Sequence, residues 1–283
     1  MAGAAALSPA VPRVHELKTD TFERLRRIVY TSSGISLPES KRALLTARTG
    51  KRMRALGVED HEAYLEILEA DQTGEELVQF LDVVSTNVTG FFREPAHYEM
   101  VKVAVRRHLD EDRLRLRLWS AACSTGEEPY SLAMTVLDTV GERQLDVRIL
   151  ATDISTRALN TARRGVYALE KARKIPPILR QRYGERVGER KSPQWKVSEG
   201  MRRLVSFHRM NLSRPPFPMK GPFDIIFCCN VMIYFDQPVR TALLAEMHRM
   251  LHPDGLLIVG HAESLCAHSD LFGLIQPSIF RKR

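Results

Sequence analysis

The sequence predicts a doubly wound α/β domain, interrupted by a small inserted subdomain and preceded by an all-α helical bundle. Three observations lead there. From Thr19 to about Leu81 the apolar positions recur with helical spacing and little reads as strand. After Pro95, five apolar runs, mostly alternating with helical stretches, follow in the order that builds a parallel sheet. Between the second and third of those runs lies a long interval without a clean period, rich in Lys and Arg.

The start, "MAGAAALSPAVPRV", is small and Pro-containing and lacks the charged segment and apolar stretch of a secretory signal, so a flexible tail is expected over 1–18. The helical domain is expected over 19–90. "TDTFERLRRIVYTSSGI" should open on a cap at Thr19 or Asp20, present Phe22, Leu25, Ile28 and Val29 on one face, and break at Ser33-Gly34. "LPESKRALLTARTGKRMRALGV" reads as a second helix ended by Gly57. "DHEAYLEILEA", with Tyr64, Leu65 and Leu68 on one side, is the third, and "GEELVQFLDVVSTNV" the fourth. The α/β domain is expected over 91–283. Its strand candidates are "LRLRLWS", "DVRILATD", "RLVSFHRMNL", "FDIIFCCN" and "GLLIVG", with the inserted subdomain at about 167–203 and "LFGLIQPSIFRKR" as an antiparallel pair on the sheet edge.

Composition is that of a water-exposed globular chain, 44% apolar and 27% charged, with no apolar run long enough to span a bilayer. Cys123, Cys228, Cys229 and Cys266 show no metal-ligand spacing, and two are adjacent in a strand with side chains on opposite faces. They read as reduced thiols of a cytoplasmic protein. The nine histidines form no ligand-like cluster in the sequence, and no metal is expected. Net charge is +8, and 171–203 alone holds eleven Lys or Arg against three Glu. Such a stretch should attract something acidic, whether nucleic acid, protein or membrane surface.

Ligands of open parallel sheets bind beyond the carboxyl ends of the strands. The first strand runs into "WSAACSTGEEPYSLAM", a turn of small residues that lets backbone amides approach a ligand. It is neither a dinucleotide fingerprint nor a P-loop. Glu127 and Glu128 in it would repel a pyrophosphate and welcome a cation. Asp153, at the tip of the second strand, can bind both hydroxyls of a ribose or cap the following helix. An adenosyl ligand with positive charge and no phosphates fits both features, and S-adenosylmethionine is such a ligand. "DIIFCCNVMIYF" raises the complementary point, because a strand apolar on both faces leads into Asn230 and Tyr234. Ahead of the sheet, "STNVTGFFREPAHY" interleaves Asn87, Thr89 and Arg93 with Phe91 and Phe92 at the domain junction.

In order, "STNVTGFFRE", "LWSAACSTGEEPYSLA", "ILATDIS", "NLSRPPFPMKGPFDIIFCCNVMIYF" and "LHPDGLLIVGHAESL" resemble the chemotaxis-receptor glutamate methyltransferases, the CheR-type family, over roughly residues 19 to 280. The resemblance implies a Rossmann-like methyltransferase domain that takes the methyl of S-adenosylmethionine, releases S-adenosylhomocysteine, and esterifies glutamates in the cytoplasmic helical region of methyl-accepting chemoreceptors. Neither nucleic-acid binding nor membrane insertion is expected, and a monomer is. The family's cofactor contacts fall on Asn87, Thr89, Arg93, one of Glu127 and Glu128, Asp153, Asn211, Leu212 and Asn230. Cys229 stands where the family commonly has Arg, which is harmless only if that position contacts cofactor through its backbone. The family's receptor-facing helix is the second, whose basic face carries Arg48, Lys51, Arg52 and Arg54, and whose internal Gly50 costs about 1 kcal/mol relative to Ala.

A glutamate carboxylate is already ionised at neutral pH, so no strong base is needed and alignment is the main task. Arg93 and Tyr234 are the candidate catalytic residues, holding the two carboxylate oxygens. Two alternatives remain at this level: a nucleic-acid methyltransferase, for which "CNVMIYF" lacks the Asn/Asp-Pro-Pro-aromatic signature and the insert lacks stacking aromatics, and a non-catalytic cofactor-binding adaptor.

Overall fold

The computed structural model describes residues 17–263, 265 and 268–283. Apart from Leu17 and Lys18, the expected tail lies outside the described residues, as does Cys266. Leu17 is not tail-like. It is buried in the helical core, and its carbonyl accepts from Arg42 at 2.9 Å.

Four helices form the amino-terminal bundle: α1 (Thr19–Ser33), α2 (Arg42–Leu56), α3 (His61–Ala70) and α4 (Glu75–Val84). Phe22, Leu25 and Val29 of α1 meet Tyr64 and Leu65 of α3 and Phe80 of α4 in one core, with Ile28 at its edge. The start of α1 differs from expectation. Lys18 is the capping position and offers no side-chain bond, while the Thr19 hydroxyl accepts from Arg42, leaving Asp20 as a first-turn acid. Gly57 ends α2 in the left-handed conformation, and Asp60 caps α3 by accepting from the Ala63 N–H at 2.8 Å.

Helix α5 (Pro95–Asp110) leads into the sheet, whose chain order is β1 (Arg115–Ser120), α6 (Glu127–Val140), β2 (Asp146–Asp153) and α7 (Thr156–Arg164). The insert follows, comprising β3 (Val166–Ala168), α8 (Leu169–Ala172), α9 (Pro177–Arg182), β4 (Gly184–Val187), β5 (Gln194–Val197) and α10 (Glu199–Arg202). The sheet then resumes with β6 (Val205–Arg209), β7 (Phe223–Cys228), α11 (Gln237–Met250), β8 (Leu251–Val259), β9 (Phe272–Gln276) and β10 (Ile279–Lys282). The seven strands lie in the order β6-β2-β1-β7-β8-β10-β9. The first five are parallel, and the terminal pair closes one edge antiparallel, as the sequence suggested.

Strand β7 shows why its sequence is apolar throughout. Ile225 and Phe227 enter the core under α5 and α6, while Ile226 and Cys228 enter the core under α11. Cys228 and Cys229 accordingly face opposite layers as free thiols. The aperiodic interval folds as an antiparallel sheet, β3-β5-β4, around buried Trp195, whose indole N–H donates to the Arg180 carbonyl at 3.1 Å. Its strands are only three or four residues long, too short to print a period on the sequence.

Candidate functional site

The chain runs outward from β1 through β2 to β6 in one direction, then returns to β7 on the other side of β1 and proceeds to β8. The loops after β1 and β7 therefore diverge, and a crevice opens between them. It is a cleft of about 570 Å³, within the range of ordinary ligand sites. The loops after β1, β2, β6 and β7 line it on the sheet side, and α2 with the connector from Val84 to Arg93 lines it on the other.

The loop after β1 is fastened from below. The Cys123 N–H donates to the Thr152 carbonyl and the Ser124 N–H to Asp153 Oδ2, both at 2.8 Å, while Asp153 Oδ1 accepts from Ser155 N–H at 2.8 Å. Asp153 thus lines the cleft and also ties two loops together; burial pushes its carboxyl up, against the pull of the Ser155 and Ser124 amides. Gly126 closes the turn at φ +96°, where a Cβ would stand 2.7 Å from Ala162 Cβ, so only glycine fits.

The two adjacent glutamates part company. Glu127 is buried away from the cleft, accepting from Lys171 Nζ at 2.8 Å and Thr125 Oγ1 at 2.6 Å. Glu128 lines the cleft, with Oε1 accepting from Ser120 Oγ at 2.7 Å. Burial drives its carboxyl up to about 7; the Ser120 bond opposes that, Glu94 and Glu263 add to it, and Arg93 counters it.

Asn230 and Tyr234 both line the cleft. Asn230 sits at φ +58°, and its side-chain amide donates to Glu94 Oε1 at 3.4 Å. Asn87, Thr89 and Arg93 line the opposite side, where the exposed Arg93 guanidinium donates to the Val88 carbonyl at 3.0 Å. Leu212 and Asn211 reach the cleft from the loop after β6. The Asn211 side chain is engaged elsewhere, donating to the Ser32 carbonyl at 2.9 Å and accepting from the Ser213 N–H and hydroxyl, so that it joins the helical domain to the sheet. Cys229 borders the cleft while its thiol donates to the Ile258 carbonyl at 3.6 Å.

The basic face expected on α2 is exposed only in part. Arg48 lines the cleft and donates to the Val84 carbonyl and to Thr86. Arg52 turns inward to Glu76, at 3.0 Å and 2.5 Å, beside Tyr64, which donates to the same carboxylate. Only Lys51 and Arg54 are exposed, and neither lines the cleft. At about 100° per residue the four span an arc of about 160°, with Arg48 and Arg52 at its covered end and Lys51 and Arg54 at its exposed end.

Glu94, His97 and His261 bring ligand-capable atoms within 4.8 Å of one another, a grouping that sequence spacing does not reveal. Glu94 Oε1 accepts from Asn230, Oε2 lies 3.4 Å from His97 Nδ1, and His261 Nδ1 meets Ser278 Oγ at 3.1 Å, while Glu94 Oε2 and His97 Nε2 are buried without a hydrogen-bond partner.

The residues 87–280 match the model of the CheR methyltransferase SAM-binding domain, and 20–85 match that of the CheR all-alpha domain. The chain belongs to the CheR methyltransferase family. A chemotaxis protein methyltransferase of Pseudomonas aeruginosa is 38% identical over 92% of this chain and 92% of its own. That of Escherichia coli is 40% identical over 86% of this chain and 84% of its own, and that of Borreliella burgdorferi 34% identical over 93% and 94%. This CheR-family chain is thus an S-adenosylmethionine-dependent methyltransferase of chemotaxis, and neither alternative reading is favoured. No helix among the described residues is long and apolar enough to cross a membrane.

Proposed function

We propose that the cleft holds S-adenosylmethionine and that the chain transfers its methyl group to glutamate side chains in the cytoplasmic helical region of chemoreceptors. The observation that carries this reading is the company in one cleft of Glu128, Asp153, Asn230, Arg93 and Tyr234. Residues that would suit the cofactor are there: a carboxylate pair for a sulfonium or ammonium group and for ribose hydroxyls, and Arg93 for a carboxylate. The loop after β1 carries neither a P-loop nor a dinucleotide signature. When bound, S-adenosylmethionine supplies a methyl whose C–S bond breaks, its electron pair passing to sulfur, as the glutamate oxygen forms the new C–O bond.

The chain's own part is to hold and orient. Glu128, desolvated and close to neutrality, gains ionisation when a cation arrives. Asp153 accepts from hydroxyls with lone pairs its two backbone donors leave over. Asn211, whose amide is occupied, and Cys229, whose thiol points into the sheet, would serve through their backbones, as would Leu212. Asn87, Thr89 and Asn230 complete the cofactor's surroundings. Arg93 and Tyr234 position the incoming carboxylate, with Arg48 lining the same cleft. No proton needs to leave the nucleophile.

Calorimetric titration with S-adenosylmethionine, followed by transfer of labelled methyl to receptor-containing membranes as base-labile ester, tests the reading. Binding without transfer would favour the adaptor alternative, and transfer to nucleic acid the other. Tyr234→Phe sharpens the test. Losing one positioning hydrogen bond of about 1–3 kcal/mol should slow single-turnover transfer roughly five- to 150-fold at nearly unchanged cofactor affinity. A wild-type rate would leave Tyr234 as packing.

A further inference from the structure

Strand β7 stops at Cys228, and a short 3₁₀ turn begins at Met232. Between them the chain must turn sharply, and the N–H groups of Asn230, Val231 and Met232 have no strand or helix partner. Buried N–H groups are rarely left unpaired. All three point at one side chain. Glu263 Oε1 accepts from the Val231 N–H at 2.9 Å and the Met232 N–H at 2.7 Å, and Oε2 accepts from the Asn230 N–H at 2.8 Å. Oε2 also accepts from the Gly260 N–H at 2.7 Å, closing the tight bend after β8 on which Glu263 sits. Glu263 as a whole is 8% exposed.

The surroundings are built to the same end. Asn230 occupies the left-handed region at φ +58°, which suits a sharp turn and which asparagine adopts more readily than most side chains. Gly260 leaves the room: a Cβ there would stand 2.3 Å from Asn230 Nδ2 and 2.9 Å from its backbone nitrogen. Glu94 takes the amide from the other side at 3.4 Å. The turn also carries Tyr234, whose N–H donates to the Val231 carbonyl and whose own carbonyl accepts from the Ser36 N–H of the helical domain. Displacing the turn would therefore move Asn230 and Tyr234 together.

We propose that Glu263 is a positioning residue of the methyl-transfer site, a buried anion that gathers four main-chain N–H groups and so fixes Asn230 and Tyr234 against the cleft. For its effect on transfer, this inference rests on the function proposed above; for the turn itself it does not. Glutamine at 263 would set an NH₂ group against two N–H donors whichever way it faced, whereas aspartate keeps both acceptor oxygens and the charge but falls short in reach.

The experiment measures amide hydrogen exchange of the full chain, alongside S-adenosylmethionine affinity and single-turnover transfer to receptor membranes. In the wild type the Asn230, Val231 and Met232 amides should exchange slowly despite lying outside strand and helix. Glu263→Gln should speed their exchange at least tenfold while β1 and β2 keep their protection, slow transfer at least tenfold, and weaken cofactor binding less. Glu263→Asp should fall between the two on every readout. Rapid exchange of the three amides in the wild type overturns the inference even if Glu263→Gln does not fold. So does Glu263→Gln with wild-type exchange and transfer, or with protection lost evenly across the sheet. A wild type that neither binds the cofactor nor transfers methyl instead overturns the proposed function, and leaves the exchange result to decide the role of Glu263 in the turn.

Discussion

Asp153 and Glu128, on the sheet side of the cleft, are held by amides and a hydroxyl within the adjoining loops, whereas Arg93 and Arg48, across from them, are guanidiniums resting largely on carbonyl oxygens of a connector. The first side is desolvated, and burial pushes both carboxyls up. On the second, Arg93 is exposed and Arg48 is only partly covered. Fixed carboxylates suit a ligand that arrives in one pose. An exposed cation suits a protein substrate whose glutamate must be drawn in from solvent. On the function proposed above, the fixed carboxylates would hold the cofactor, with Asn87 and Thr89 of the connector closing over it, and exposed Arg93 would meet the substrate together with Tyr234.

The largest expected effect tests whether the sheet side is prebuilt. Asp153→Ala removes the acceptor for the Ser124 and Ser155 amides and leaves both donors buried. Stability should drop by about 2–4 kcal/mol in chemical denaturation, and cofactor affinity by about 1–3 kcal/mol in calorimetry. Affinity lost at unchanged stability would show that the loops hold their shape without Asp153, and the contrast between the two sides would fail.

Glu128→Gln comes next, because its carboxyl is raised to about 7 by burial. The sign follows from linkage. The folded carboxyl holds its proton more tightly than the unfolded one, so below the unfolded value it costs nothing. The penalty grows as pH rises through the window up to about 7 and is complete above it. Removing the charge should therefore stabilise the ligand-free protein at pH 8 by on the order of 1–3 kcal/mol. Cation binding prefers the ionised form, so wild-type affinity for S-adenosylmethionine should weaken as pH falls below neutrality. The glutamine variant should bind at least tenfold more weakly at pH 8 and lose that slope. Retained affinity with retained slope would move the titrating group elsewhere.

The strands of the main sheet were legible from short runs bounded by turn residues, and β7 declared its burial on both faces. Asp153, Asn230 and Tyr234 were legible as polar groups where apolar runs end. What could not be read had its cause at a distance. Glu127 and Glu128 are neighbours on a helix, about 100° apart, and Lys171, in an insert without a period, together with Thr125 holds one of them out of the cleft. Glu263 stands in "GHAESL", but its partners are main-chain N–H groups, which no sequence pattern displays. The cap of α1 failed as an expectation because Arg42, from another helix, claims the Thr19 hydroxyl.

The smallest effects concern the second side, and α2 supplies its own control. Arg52 and Glu76 are mostly covered, with side chains 18% and 12% exposed, and Tyr64 shares the carboxylate. Arg52→Ala should cost about 1–3 kcal/mol of stability by leaving Glu76 with one partner, while the catalytic rate of the protein that remains folded is unchanged. Lys51→Glu with Arg54→Glu alters two exposed charges outside the cleft, so stability should stay within about 0.5 kcal/mol and cofactor affinity should hold. If receptor helices approach this surface, methylation at subsaturating receptor should fall several-fold, and added salt should slow the wild type toward the variant, because steering between exposed charges is screened beyond about 10 Å at 0.1 M. Equal rates for wild type and the double variant at low salt would take α2 out of receptor docking altogether, and leave Arg93 and Arg48 at the cleft mouth as the cations that draw the substrate in.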